Sequence, residues 1–225
     1  RGSNLKVGPH GLAFDVSCRW GEARIESGVL GRFNAHNLLA VLTTLLVGGV
    51  DFEQAIISVQ HVQPVPGRMQ QIRLPDKPLV VVDYAHTPDA LEKVLITLRE
   101  IVGESKASES QLICVFGCGG QRDKGKRPMM GDVASRLADA VVVTSDNPRN
   151  EDPRFIIDDI VTGMGANFHV MEDRAAAIDH AIRQAQPNDV VLIAGKGHED
   201  YQEIKGVKLL FSDIEVAVRA LGSAR

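Results

Sequence analysis
A doubly wound α/β fold with a mostly parallel sheet is the architecture this 225-residue sequence predicts. Three observations carry that expectation. From residue 69 onward, short β-branched runs alternate with helical patterns, as in a chain of βαβ units. The runs Leu79–Val82, Leu112–Phe116, Val141–Val143 and Val190–Ala194 are apolar at every position, as strands buried on both faces are. Each run then ends in a polar cluster, and open α/β sheets bind ligands off the carboxyl ends of their strands.

Residues 5–30 read as short strands. Leu12 to Val16 alternates, as does Ala23 to Glu26, with Gly8-Pro9 and Gly21 as punctuation. So few strands do not make a domain. They are expected to be part of a larger domain that begins upstream, with few ordered contacts of their own. Asn34 is expected to cap an apolar helix to about Val47, with Leu38, Leu42 and Leu45 in its stripe beside Leu39 and Leu46. Asp51 should cap a second helix through about Val59. Gln63-Pro64-Val65-Pro66-Gly67-Arg68 breaks all periodicity and reads as a hinge. A domain boundary near residue 65 follows, giving units 1–65 and 66–225.

Beyond it, Leu79–Asp83 is a strand. Thr87, Pro88 and Asp89 supply cap, first position and first-turn acid for a helix to about Val102. The strand Leu112–Phe116 and a helix from about Lys126 to Ala138 lead to the Val141 strand. Pro153 opens a helix to about Met164. Phe168–Met171 is a short strand, and Asp173 caps the next helix. Asp189–Ala194 is a strand, and Ser212 with Glu215 makes a capping box for the last helix.

Composition narrows the function classes. The chain is 44% hydrophobic and 24% charged, and its net charge of −4 leaves no footprint for nucleic acid. Cys18, Cys114 and Cys118 form neither a disulfide framework nor a zinc spacing. A reducing cytoplasm is the expected location. The apolar run Leu38–Val47 is too short to span a bilayer and holds two threonines, and no signal peptide is visible.

The four polar strand ends are Asp83 to His86, Gly117 to Lys126, Asp146 to Arg149 and Gly195 to Glu199. Asp146-Asn147-Pro148-Arg149 offers an anion, an amide and a guanidinium together. Such a loop could hold a zwitterion, Arg149 gripping a carboxylate and Asp146 facing an ammonium. The plainer reading is a β-turn. Gly117-Cys118-Gly119-Gly120 would let backbone N–H groups approach an anion. It is not a dinucleotide fingerprint, because Arg122 stands where the third glycine belongs, and no phosphate loop occurs. A nicotinamide-dependent oxidoreductase is the rival reading. The basic run from Gly120 to Arg127 reads as a solvated charge run. His86 and His198 are candidate general bases.

Several of these words agree with one family. Gly31-Arg32-Phe33-Asn34-Ala35-His36-Asn37, Pro66-Gly67-Arg68-Met69, Asp83-Tyr84-Ala85-His86-Thr87-Pro88, Phe116-Gly117-Cys118-Gly119-Gly120, Asp123-Lys124-Gly125-Lys126-Arg127-Pro128, Asp146-Asn147-Pro148-Arg149 and Gly195-Lys196-Gly197-His198-Glu199-Asp200-Tyr201 stand in the order and spacing of the Mur ligases. The chain resembles their C-terminal part, in the branch that adds meso-diaminopimelate to UDP-N-acetylmuramoyl-L-alanyl-D-glutamate in peptidoglycan synthesis. The resemblance implies that residues 1–65 end a central ATPase domain and that 66–225 form a Rossmann-like domain. It implies that Asn34 and Asn37 lie near the adenine of ATP, and that Arg68 and Asp83 reach its phosphate and ribose. It implies that Arg122, Asp146, Asn147, Pro148, Arg149, Gly195 and Glu199 bind meso-diaminopimelate. The phosphate loop, the Mg2+ ligands and the UDP-substrate site would lie upstream. Turnover would need them, so this segment would bind the amino acid without catalysing ligation.

Overall fold
The computed structural model describes residues 1–103 and 110–223. The chain opens with β1 (Gly2–Gly8), β2 (Gly11–Cys18) and β3 (Gly21–Ser27), an antiparallel sheet in that order, followed by α1 (Arg32–Val47) and α2 (Phe52–Gln60). Alternation puts Leu12, Phe14, Val16 and Ile25 on one face of this sheet. There they bury against Leu38, Leu42 and Leu46 of α1 and Ala55, Ile56 and Val59 of α2. The expectation of few ordered contacts in residues 1–30 is therefore wrong. The strands are short, but the two helices that follow cover their apolar face.

Helix α1 also begins earlier than its capping signal suggests. Gly31 takes the cap position with no side-chain bond, at φ 90°. Asn34 lies inside the first turn, donating Nδ2 to the Leu30 carbonyl at 2.8 Å. Asp51 caps α2 as expected, accepting from the Glu53 and Gln54 amides.

After an irregular stretch come β4 (Gln70–Ile72), β5 (Leu79–Asp83), α3 (Pro88–Gly103), β6 (Leu112–Phe116), α4 (Lys126–Leu137), β7 (Ala140–Val143), α5 (Pro153–Val161), β8 (Phe168–Val170), α6 (Arg174–Gln184), β9 (Val190–Ala194), a hairpin of β10 (Tyr201–Ile204) and β11 (Val207–Leu210), and α7 (Asp213–Ser223). The six-stranded sheet has the order β4-β5-β9-β6-β7-β8. Only β4, on the edge, runs antiparallel.

Successive residues of each strand feed opposite layers. Val81, Cys114, Phe116, Val141 and Leu192 pack under α3, α4 and α5. Val80, Val82, Ile113, Val115, Val191 and Ile193 pack under α6 and α7. That is the doubly wound arrangement the alternation predicts. Leu30 joins the core under α3, and Gln71 donates Nε2 to the Gly28 carbonyl at 2.6 Å, so the N-terminal unit abuts the large sheet. None of the described helices is long and apolar enough to cross a membrane.

Candidate functional site
The parallel strands bring the loops after β5, β6, β7 and β9 to one edge. The loop after β7 is its centre. Asp146 is buried, and its Oδ1 has no hydrogen-bond partner. The ammonium of Lys196, itself fully buried, stands 3.6 Å from that oxygen. Burial pushes the Asp146 carboxyl up, against the pull of the Arg174 and Lys196 charges. Gly195, at φ 117°, holds the backbone beside it, and a Cβ there would stand 3.2 Å from Asp146 Oδ2.

Asn147 is locked from three sides. Its Nδ2 donates to Glu199 at 2.8 Å, and its Oδ1 accepts from Lys196 at 3.1 Å and from the Glu203 amide at 2.9 Å. Lys196 also donates to Glu199 at 3.1 Å. The β10–β11 hairpin backs the loop: the Arg149 amide donates to the Glu203 carbonyl at 2.9 Å, and the Lys205 amide to the Arg149 carbonyl at 2.6 Å. These bonds hold Arg149 at φ 53°, a left-handed conformation uncommon for a side-chain-bearing residue. Its Nη1 donates to the Gly120 carbonyl at 2.8 Å. A Cβ on Gly119 would lie 2.9 Å from Arg149 Nη1 and 3.7 Å from Arg122 Cγ, so both arginines flank that glycine. Arg122 is exposed and makes no ion pair among the described residues. Pro148 accepts the Glu151 amide at 3.0 Å and closes the turn.

Two charged residues behind the loop were not anticipated. Arg174 and Asp213, both fully buried, pair at 2.7 Å. Arg174 also donates to the Ser145 carbonyl at 3.3 Å and the Ala194 carbonyl at 3.0 Å, tying together the ends of β7 and β9. Lys196 and Glu203 were missed as well. A lysine between two glycines at a strand end was the visible signal for the first. Glu203 lies in a hairpin whose strands show no clean alternation.

Two expectations about the loop after β6 need correcting. The glycines there serve a contact between loops. The Gly120 amide donates to the Asn147 carbonyl at 2.9 Å, and a Cβ on Gly120 would collide with the Pro148 carbonyl oxygen. The Gly120 amide is thus already bonded within the protein, and the nicotinamide reading finds no support. Nor is the basic run simply solvated. Arg127 is fully buried, pairing with Asp159 at 2.8 Å and Glu151 at 3.0 Å. Two acids on neighbouring elements take up its charge.

Asn34, Asn37, Arg68 and Asp83 line a second cleft of about 800 Å³, between α1, the 62–69 stretch and α3. Its wall is largely apolar, with Leu30, Phe33, Val65 and Val94. Asn37 Nδ2 donates to Asn34 Oδ1 at 2.9 Å. Asp83 accepts from the Met69 and Ala85 amides, each at 2.8 Å, and burial pushes its carboxyl up against these bonds. The Arg68 guanidinium lies 4.9 Å from the Tyr84 ring centroid. His86 joins neither cluster. It is exposed, stacks edgewise on Tyr84 at 4.7 Å, and its Nδ1 sits 2.8 Å from the Tyr84 carbonyl oxygen. Among the described residues no group of three or more His, Cys, Asp or Glu side chains could hold a metal ion.

This geometry has known counterparts. A family model described as Mur ligase, glutamate ligase domain, matches residues 67–197. The UDP-N-acetylmuramoyl-L-alanyl-D-glutamate–2,6-diaminopimelate ligase of Chromobacterium violaceum is 55% identical over 212 residues, covering 94% of this chain and 42% of that protein. The ligase of the same name from Nitrosomonas europaea is 48% identical over 227 residues, covering 98% of this chain and 44% of its own. A solved structure of an enzyme with that name superposes with a TM-score of 0.76 at 44% identity, over 99% of this chain and 45% of the other. A folylpolyglutamate synthase from Thermotoga maritima, at 21% identity and a TM-score of 0.66, shares the fold. The chain thus spans less than half the length of these curated relatives.

Proposed function
This chain belongs to the Mur ligase family, and on that premise we propose that it is the amino-acid-selecting part of a cytoplasmic, ATP-dependent ligase joining meso-diaminopimelate to UDP-N-acetylmuramoyl-L-alanyl-D-glutamate. In this reading residues 1–65 end a central nucleotide-binding domain and 66–225 form the C-terminal domain. The reaction runs through an acyl phosphate. The D-glutamate carboxylate takes the terminal phosphoryl group of ATP. The free amine of diaminopimelate then attacks the acyl carbon, and phosphate leaves as the new amide sheds a proton.

The residues of this chain hold the far end of the amine substrate. Arg149 and Arg122 face its distal carboxylate, and Asp146 with Glu199 faces the distal ammonium. Fixing that end aims the reacting amine, and positioning can supply up to ~7–11 kcal/mol of a barrier. Asn34, Asn37, Arg68 and Asp83 suit the adenine and ribose side of ATP, because an apolar-walled cleft edged with amides fits a flat base. Magnesium would neutralise phosphate charge, and none of the described side chains is assigned to it.

The observation that carries this reading is the buried carboxylate oxygen of Asp146, which accepts no hydrogen bond and has only the Lys196 ammonium at 3.6 Å, beside an arginine-lined rim. A buried acceptor without a hydrogen bond costs ~1–3 kcal/mol, which a donor on the ligand would offset. Arg149→Ala in the full-length ligase tests it. KM for diaminopimelate should rise at least ~100-fold, while KM for ATP and for the UDP substrate stays near wild type. Lysine, which lacks the distal carboxylate, should be rejected less strongly than before. Unchanged KM for diaminopimelate would reduce the loop to a turn.

A further inference from the structure
We infer that Glu203 is a resident counter-anion for Arg149, standing at the guanidinium edge that the substrate's carboxylate must take. The inference rests on the reading of Arg149 above. A guanidinium grips a carboxylate with two parallel donors on one edge. Arg149 Nη1 already donates to the Gly120 carbonyl at 2.8 Å and approaches the Asn147 carbonyl at 3.5 Å. Of the two two-donor edges of a guanidinium, the one that pairs Nη1 with Nη2 is therefore committed to backbone through Nη1. Nη2 makes no hydrogen bond among the described residues, so the open two-donor edge is Nε with Nη2. Glu203 Oε2 stands 3.4 Å from Nε.

The sign of the effect follows from what else holds the two residues. The guanidinium plane is set by the Nη1 bond to Gly120, and Glu203 touches the loop through its own backbone as well. Its amide binds Asn147 Oδ1 and its carbonyl accepts the Arg149 amide. Replacing the carboxylate leaves all three bonds in place. What changes is charge: the incoming carboxylate no longer displaces or repels a neighbour of like sign. The two side chains are 21% and 26% exposed, so water screens the pair and the effect is modest. When lysine is bound instead, Glu203 remains as partner to Arg149. Without it, the guanidinium is left with no anion.

The experiment is steady-state kinetics of full-length Glu203→Gln and Glu203→Ala with diaminopimelate and with lysine, alongside Arg149→Ala and the double variant Arg149→Ala/Glu203→Gln. Both Glu203 variants should lower KM for diaminopimelate about two- to fivefold. Neither should improve lysine, so discrimination between the two amines widens. The gain should vanish in the Arg149→Ala background, as coupled neighbours require. Mere structural damage cannot tighten binding. If Arg149→Ala raises KM and the Glu203 variants do not lower it, or improve lysine equally, this inference falls and the parent reading stands. If Arg149→Ala leaves KM unmoved, the parent reading falls first.

Discussion
Asp146 is held in a position that costs stability. Burial raises its pKa, so the folded protein takes up a proton at a pH where the unfolded chain has already released it. Stability therefore falls as pH rises from the ordinary aspartate value through the raised one, and the full cost is present above both. Asp146→Asn should stabilise the protein at pH 7 by ~1 kcal/mol, and the gain should shrink as pH drops toward and below the ordinary aspartate value. Urea unfolding at a series of pH values reads this directly. If Asp146→Asn is instead less stable than the parent at pH 7, Lys196 and Arg174 outweigh burial. The same variant should bind diaminopimelate poorly, since the ammonium loses its acid. The structure brings Asp146, Asn147, Arg149, Gly195 and Glu199 to one place, and the visible signal for that was the short polar words they form at strand ends. Lys196, Arg174 and Asp213 were not legible, because nothing in a charged residue's local sequence says that it will be buried against a distant opposite charge.

Helices α6 and α7 act together through their first residues. Arg174 opens α6 and Asp213 opens α7, and their ion pair joins both helix starts to the ends of β7 and β9. Arg174→Met leaves Asp213 as an uncompensated buried charge, which should cost ~3–5 kcal/mol. Adding Asp213→Leu should recover most of that, seen as a restored denaturant midpoint. The double variant still lacks the bonds to the Ser145 and Ala194 carbonyls, so its KM for diaminopimelate should stay high. A double variant as unstable as the single one would show that the charge is not the main term. Local signals served well at this scale: Asp51, Thr87 and Asp173 cap the helices they were expected to cap, because a cap acts within a few residues. β4 and the β10–β11 hairpin were missed, since a short polar edge strand and an exposed hairpin carry little apolar periodicity. Helix α5 stops at Val161 rather than near Met164, where turns through Gly163 take over.

For the whole molecule, alternation announced a parallel sheet but not its order, which depends on pairings between strands far apart in the chain. β9 lies between β5 and β6, with Leu192 opposite both Val81 and Cys114. That placement has a consequence in time. A ribosome delivers β5 and β6 long before β9, so during synthesis their facing edges have no neighbour. The growing polypeptide is an open book whose spine arrives near the end. Its apolar edges must stay soluble for the interval of translation from Phe116 to Val190, when pairing errors and chaperone capture compete with folding. Stalled nascent chains whose emerged part stops short of Val190 should be cut readily by protease within Leu79–Asp83 and Leu112–Phe116. Chains that have exposed α7 should resist. Protection of that region before β9 has left the exit tunnel would mean that the two halves of the sheet can close without it.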